Sequence, residues 1–130
     1  AAGLLPCMTL KANVVQLSHI RKGDTVSYGA AFVSDRDMTV ATLSVGYADG
    51  LFRALSGKAD VVIRGKKAKM VGKICMDMCM ADVSDIDCEV GDEAVIFGDG
   101  QSADRLAELA GTINYEILCS VRNRVSRRYI

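Results

Sequence analysis

Short apolar runs separated by turn residues make up most of this chain. Residues 8–17, "MTLKANVVQL", combine β-branched and apolar side chains and read as a strand. "DTVSYGAAFV" (24–33) follows the Gly23-Asp24 turn signal, and "MTVATLSV" (38–45) follows the polar cluster Ser34-Asp35-Arg36-Asp37. "ADVVIRG" and "KKAKMVG" (59–72) predict a hairpin turning near Gly65-Lys66. "ICMDMCMADV" (74–83) reads as a further strand, and "EAVIFG" (93–98) follows the turn at Val90-Gly91-Asp92. Strands of this length and spacing predict a mainly β, antiparallel, Greek-key-like barrel or sandwich.

The pattern changes once, after residue 101. Ser102 is a suitable N-cap, and Asp104 places negative charge in the first turn. Ala103, Leu106, Ala107 and Ala110 repeat at helical spacing, and Gly111 supplies a stop. A second short helix is expected over "INYEILCSV" (113–121), and the arginine-bearing tail "NRVSRRYI" reads as a strand or a docking arm. The fold class is therefore mainly β, with one or two short helices near the C-terminus.

Composition narrows the function classes. The 130 residues amount to one domain, and half are apolar. Lys+Arg and Asp+Glu are both 16, so the basic excess of a nucleic-acid binder is missing. No apolar run reaches the roughly 20 residues of a membrane span. The opening "AAGLLPCMTLKANVV" lacks the charged start and cleavage site of a signal peptide. The five cysteines are odd in number and irregularly spaced, which argues against a disulfide framework. Free thiols without an export signal favour the cytoplasm.

Candidate chemistry centres on 74–83. Zinc pairs usually come as C-x2-C with a second pair or histidines. Here Cys75 and Cys79 are spaced C-x3-C, and the only histidine is His19. On a strand four residues span ~13 Å, too far for one ion or a disulfide. The reading is an apolar strand with Ile74, Met76, Met78 and Met80 on one face and Cys75, Asp77 and Cys79 on the other. Asp77 among these apolar residues is expected to be partly buried and to need a partner. "SVGYADGLFR" (44–53) reads as a glycine-bordered turn carrying Tyr47 and Asp49. Tyr28 precedes Gly29, where another backbone, a cofactor or a partner can approach closely. Tyr115 stands beside Glu116 after the helix, and His19 is most simply a surface residue. No Ser-His-Asp or Cys-His set can be argued around the single histidine, and no glycine-rich nucleotide cradle is present.

"TVSYGAAF", "LSVGYADGLFRALS", "VGKICMDMCMADV", "VGDEAVIFG" and "GTINYEILCSVRNRVSRRY" occur in that order over nearly the whole chain. Together they resemble the C-terminal domain of alanine racemase, a pyridoxal-phosphate enzyme of bacteria. The opening "LLPCMTLKANV" resembles the family's crossing into this domain. The resemblance implies that residues 1–130 are the C-terminal β domain. The family's N-terminal (β/α)8 barrel, which carries the cofactor-bearing lysine, has no counterpart here. It implies a head-to-tail homodimer in which each C-terminal domain completes the partner subunit's site.

The same resemblance implies residue roles. Tyr28 is the catalytic base facing L-alanine from the side opposite the lysine. The Met76 backbone N–H meets the substrate carboxylate, and Asp77 helps hold that loop. Tyr115 lies near the cofactor phosphate and the substrate side chain. Tyr47 and Arg53 line the entrance. Lys73 stands there too, where many members carry arginine, and lysine lacks arginine's planar bidentate fork. The activity implied is racemisation of alanine, supplying D-alanine for peptidoglycan. The isolated chain is expected to be inactive. Serine as the substrate, or a non-catalytic β-barrel docking module, are the alternatives.

Overall fold

A computed structural model describes residues 9–26, 32–49, 51, 55–56, 58–98, 108 and 111. Eight strands are formed: β1 (Leu10–Ile20), β2 (Thr25–Val26), β3 (Phe32–Val33), β4 (Met38–Leu43), β5 (Asp60–Ile63), β6 (Lys66–Val71), β7 (Cys79–Asp82) and β8 (Glu93–Phe97). Six of them close an antiparallel barrel in the order β1-β4-β7-β6-β5-β8, and β2 pairs with β3 as a separate ribbon. β5, β6 and β7 follow one another as a meander, and β8 returns to lie beside β5, which is the Greek-key arrangement expected.

Closure depends on β1. Its first residues, Leu10 to Asn13, pair with β8, and the stretch from Val14 to Ile20 pairs with β4. The register slips between Val14 and Gln16, so Val15 is extruded and half exposed. A bulge of this kind adds the local twist that lets one strand serve two neighbours.

Alternation along the strands fills the barrel. Val14, Leu43, Val61, Ile63, Met70 and Ile96 are buried inward together with Ala12, Ala41, Ala68, Ala81 and Ala94. The small residues keep six strands close around one core. A second cluster, Met38, Val40 and Val71 with Ile20 and Met80 packed against it, lies on the alternate face. β4 is therefore buried on both faces, which explains its near-continuous apolar run.

Three readings are corrected. Residues 24–33 are not one strand, since Thr25 and Val26 pair antiparallel with Val33 and Phe32 and the chain reverses between them. The β5–β6 hairpin forms as expected, with its turn one residue earlier, at Arg64-Gly65, because Ile63 already faces Lys66. Both turn residues have positive φ, 51° and 75°, the geometry of a type I′ hairpin. Arg64 is held there by its guanidinium, which donates to Asp92 at 2.9 and 3.2 Å. Asp92 in turn accepts from the Glu89 N–H at 2.8 Å, and these bonds hold its carboxyl below the ordinary range. The third correction, at residues 74–78, concerns the site.

Of the expected first helix, Glu108 is helical, and Gly111 has φ 75° with its N–H donating to the Glu108 carbonyl. That agrees with a glycine stop. The rest of that helix, the expected second helix and the tail lie outside the described residues. No described helix is long and apolar enough to cross a membrane.

Candidate functional site

Beyond the end of β4 the chain folds into a single 3-10 turn, Tyr47–Asp49, with Gly46 as its cap. Asp49 sits at the third position of that turn and reaches back. Its Oδ2 accepts from the Gly46 N–H at 3.0 Å, and its own N–H donates to the Gly46 carbonyl at 3.0 Å. This is half of a capping box, with a carboxylate where the exposed N–H dipoles favour one. The turn is anchored by core residues on both sides, Val45 and Leu51. Asp49 itself is only 9% exposed.

Residues 72–78 pack onto this turn as a loop, not as the strand expected for 74–83; β7 begins only at Cys79. Two core residues pin the ends, Ile74 and Cys79. The Ile74 N–H donates to the Ser56 hydroxyl at 2.9 Å, and the Cys75 N–H donates to the Met78 carbonyl at 2.9 Å, closing the loop. Met76 and Asp77, spanned by that closure, and Met78, whose carbonyl makes it, are exposed. The expected face assignment therefore fails: Ile74 is buried while Met76 and Met78 are 52% and 42% exposed. Asp77 is an exposed carboxylate, not a partly buried one.

The turn and the loop are joined backbone to backbone. The Tyr47 N–H donates to the Cys75 carbonyl and the Ala48 N–H to the Met76 carbonyl, each at 3.0 Å. Gly46 makes this approach possible, since a Cβ there would overlap both carbonyl oxygens. The consequence follows from peptide geometry. Cys75 C=O and Met76 N–H belong to one trans peptide, so they point in opposite directions. Binding the carbonyl to Tyr47 turns the Met76 N–H away from the turn. Among the described residues that N–H has no backbone acceptor. A donor whose own peptide carbonyl is hydrogen-bonded is polarised and strengthened.

Tyr47, Lys73, Met76 and Asp77 are thus brought to one rim of the barrel, and Tyr47 and Lys73 are exposed there. Tyr28, Arg53 and Tyr115 lie outside the described residues. Gly46, Asp49 and Ser56 were not expected to support Met76. The Gly-x-x-Asp spacing at 46–49 is the one sequence signal for such a cap.

Among the described residues the cysteines form no disulfide and no metal cluster. Cys75, Cys79 and Cys88 are free thiols. Burial, and secondarily the neighbouring Cys75, pushes the Cys79 thiol up to about 12, so it stays protonated at neutral pH. No cluster of three metal-ligating side chains exists among the described residues. His19, at the end of β1, is exposed as expected, with Nδ1 3.0 Å from the Thr39 hydroxyl. It borders a shallow depression of about 530 Å³ with Arg21, Asp37 and Ser84, at the opposite end of β4 from the 46–49 turn.

Comparison with known proteins places this geometry. The family profile described as "Alanine racemase, C-terminal domain" matches residues 7–129. Alanine racemase 1 of Clostridium acetobutylicum is 51% identical over 98% of this chain, which spans 34% of that protein. Alanine racemase of Mycolicibacterium smegmatis is 47% identical over 98% of the chain and 34% of its own length. Among solved structures, the biosynthetic alanine racemase from Pseudomonas aeruginosa superposes with a TM-score of 0.94 at 39% identity. That match covers 98% of this chain and 36% of the other. Alanine racemase from Bartonella henselae with covalently bound pyridoxal phosphate gives a TM-score of 0.90 at 38% identity, covering 94% and 34%. The chain spans about a third of the length of the relatives it matches.

Proposed function

This chain belongs to the family of alanine racemase C-terminal domains, and we propose that it acts as that domain of a longer enzyme interconverting L- and D-alanine. The observation that carries the reading is the outward Met76 N–H, held by the 46–49 turn on a rim with Tyr47 and Lys73. A fixed backbone donor beside exposed Tyr47, Met76 and Met78 suits a small amino acid, which brings one carboxylate and little side chain. The described residues fit contact with the substrate rather than attachment of the cofactor, whose lysine belongs to an N-terminal barrel that has no counterpart in this chain.

When bound, pyridoxal phosphate supplies the electron sink that makes the Cα proton labile. The residues of this chain do the rest of their part directly. The Met76 N–H, with Asp77 steadying its loop, orients the substrate carboxylate. The Tyr28 phenol moves a proton on one face of Cα, while a group outside this chain serves the other. An unperturbed phenol titrates near 10, so it needs positive or donor groups nearby to act at neutral pH. Tyr115 walls the methyl side chain and the cofactor phosphate. Tyr47, Arg53 and Lys73 form the entrance.

The enzyme works as a homodimer, each C-terminal domain completing the partner subunit's site. Half-buried and buried free thiols support a reducing compartment, the cytoplasm, where D-alanine is made for peptidoglycan.

Full-length protein loaded with pyridoxal phosphate is expected to turn L-alanine into D-alanine, and the 130-residue chain alone is not, as read by chiral chromatography. Sustained D-alanine from the isolated chain would remove the need for a second domain. A loaded full-length protein that leaves L-alanine untouched would overturn the reading, and a clear preference for L-serine would move it to a serine racemase.

A further inference from the structure

We propose that Asp49 is a positioning residue for substrate binding: through the 46–49 turn it sets the direction of the Met76 N–H. The inference rests on the carboxylate contact proposed for Met76 and names what that contact depends on. Asp49 does not itself meet the substrate.

The chain of contacts is short. The Asp49 carboxylate accepts from Gly46 N–H at 3.0 Å and fixes the cap of the turn. With the cap fixed, the next two N–H groups, of Tyr47 and Ala48, are aimed at two successive carbonyls, Cys75 and Met76. The Tyr47 bond holds the carbonyl of the Cys75–Met76 peptide and the Ala48 bond holds that of the peptide that follows, so the first peptide is fixed at its oxygen and restrained beyond its N–H, which sets where that N–H points. Asp49 is nearly buried, so its charge is poorly screened and the cap bond is charge-assisted. Ser56 holds the start of the same loop through Ile74 N–H but leaves the Cys75–Met76 peptide free to rotate. Asp49 is thus coupled to the orientation of the donor more directly than Ser56.

A misdirected donor weakens binding of any ligand carboxylate, in ground and transition states alike. That raises KM more than it lowers kcat. A purely structural Asp49 would instead reduce the amount of folded enzyme, lowering apparent kcat while KM stayed put. The test uses the full-length holoenzyme with steady-state kinetics on L-alanine. It adds competitive inhibition by propionate, which keeps the carboxylate and lacks the amine.

For Asp49→Ala, KM and the propionate inhibition constant are each expected to rise about 10-fold, the usual worth of a hydrogen bond to a charged group. kcat should fall less. Asp49→Asn keeps an acceptor oxygen and should recover most of the lost affinity. If Asp49→Ala fails to fold, Asp49→Ser, whose hydroxyl is too short to reach the Gly46 N–H, carries the same expectation. Unchanged KM and unchanged propionate affinity in a folded variant would overturn the proposal while leaving the racemase reading intact. If the wild-type holoenzyme does not racemise alanine, that reading falls. Equal propionate affinity of wild type and variant, measured directly, would then overturn the role of Asp49 as well.

Discussion

Replacing Gly46 with alanine is expected to destabilise the domain by roughly 3 kcal/mol and lower its Tm by about 10 °C. The added methyl would overlap the Cys75 and Met76 carbonyl oxygens, and both belong to backbone, not to side chains that could swing aside. Relief requires the 72–78 loop to lift off the turn. That breaks the Tyr47 and Ala48 hydrogen bonds, each worth about 1 kcal/mol net. Ile74 and Cys79 anchor the loop ends in the core, so the displacement strains the packing as well. Against a total stability of about 5–15 kcal/mol, this is a large fraction. Thermal unfolding of wild type and Gly46→Ala is the check. A variant as stable as wild type would mean that the loop is not seated as described.

In the full-length enzyme, Tyr28→Phe should reduce the racemisation rate by about 10²- to 10⁴-fold, the usual contribution of one acid-base group. The substitution removes a single oxygen and keeps the ring. The loss should therefore fall on kcat in both directions, with substrate affinity little changed, because the carboxylate contact is the one proposed for Met76. Steady-state rates from L-alanine and from D-alanine separate these terms. If activity survives in both directions, the proton is moved by another group and the role given to Tyr28 is wrong.

The barrel itself was legible because strand alternation is a short-range signal. Val61 and Ile63, Ala68 and Met70, and Ala94 and Ile96 each place two inward side chains two residues apart. The features that failed to show are those decided by remote contacts. Residues 74–78 contain no glycine, proline or asparagine, and apolar methionines and cysteines there look like strand. They form a loop because carbonyls 75 and 76 meet the Tyr47 and Ala48 N–H groups from another part of the chain. Arg64 is similar. An arginine is a poor choice for positive φ, and its ion pair with Asp92, distant in sequence, holds it there. The reversal between β2 and β3 was hidden because Thr25, Val26, Phe32 and Val33 are all good strand formers.

Of the site, Tyr47, Lys73, Met76 and Asp77 were found through motif resemblance, and the structure gathers them on one rim. Composition and spacing alone do not single out Met76, since the contribution proposed for it is a backbone N–H and any residue but proline has one. Asp49 and Gly46 were visible only as a turn. What they support lies on a loop that the sequence presented as a strand.

The central claim is that this domain completes a site whose cofactor is held by another subunit. Subunit mixing tests it most directly. Two full-length variants are prepared, one carrying Tyr28→Phe and one lacking the cofactor-bearing lysine of the barrel, each nearly inactive alone. After unfolding and refolding together, random pairing makes half the dimers mixed. If sites are shared, each mixed dimer holds one intact site and one doubly damaged site, so about a quarter of wild-type activity returns. Activity no greater than the sum of the two separate variants would contradict the claim and place each site within a single chain.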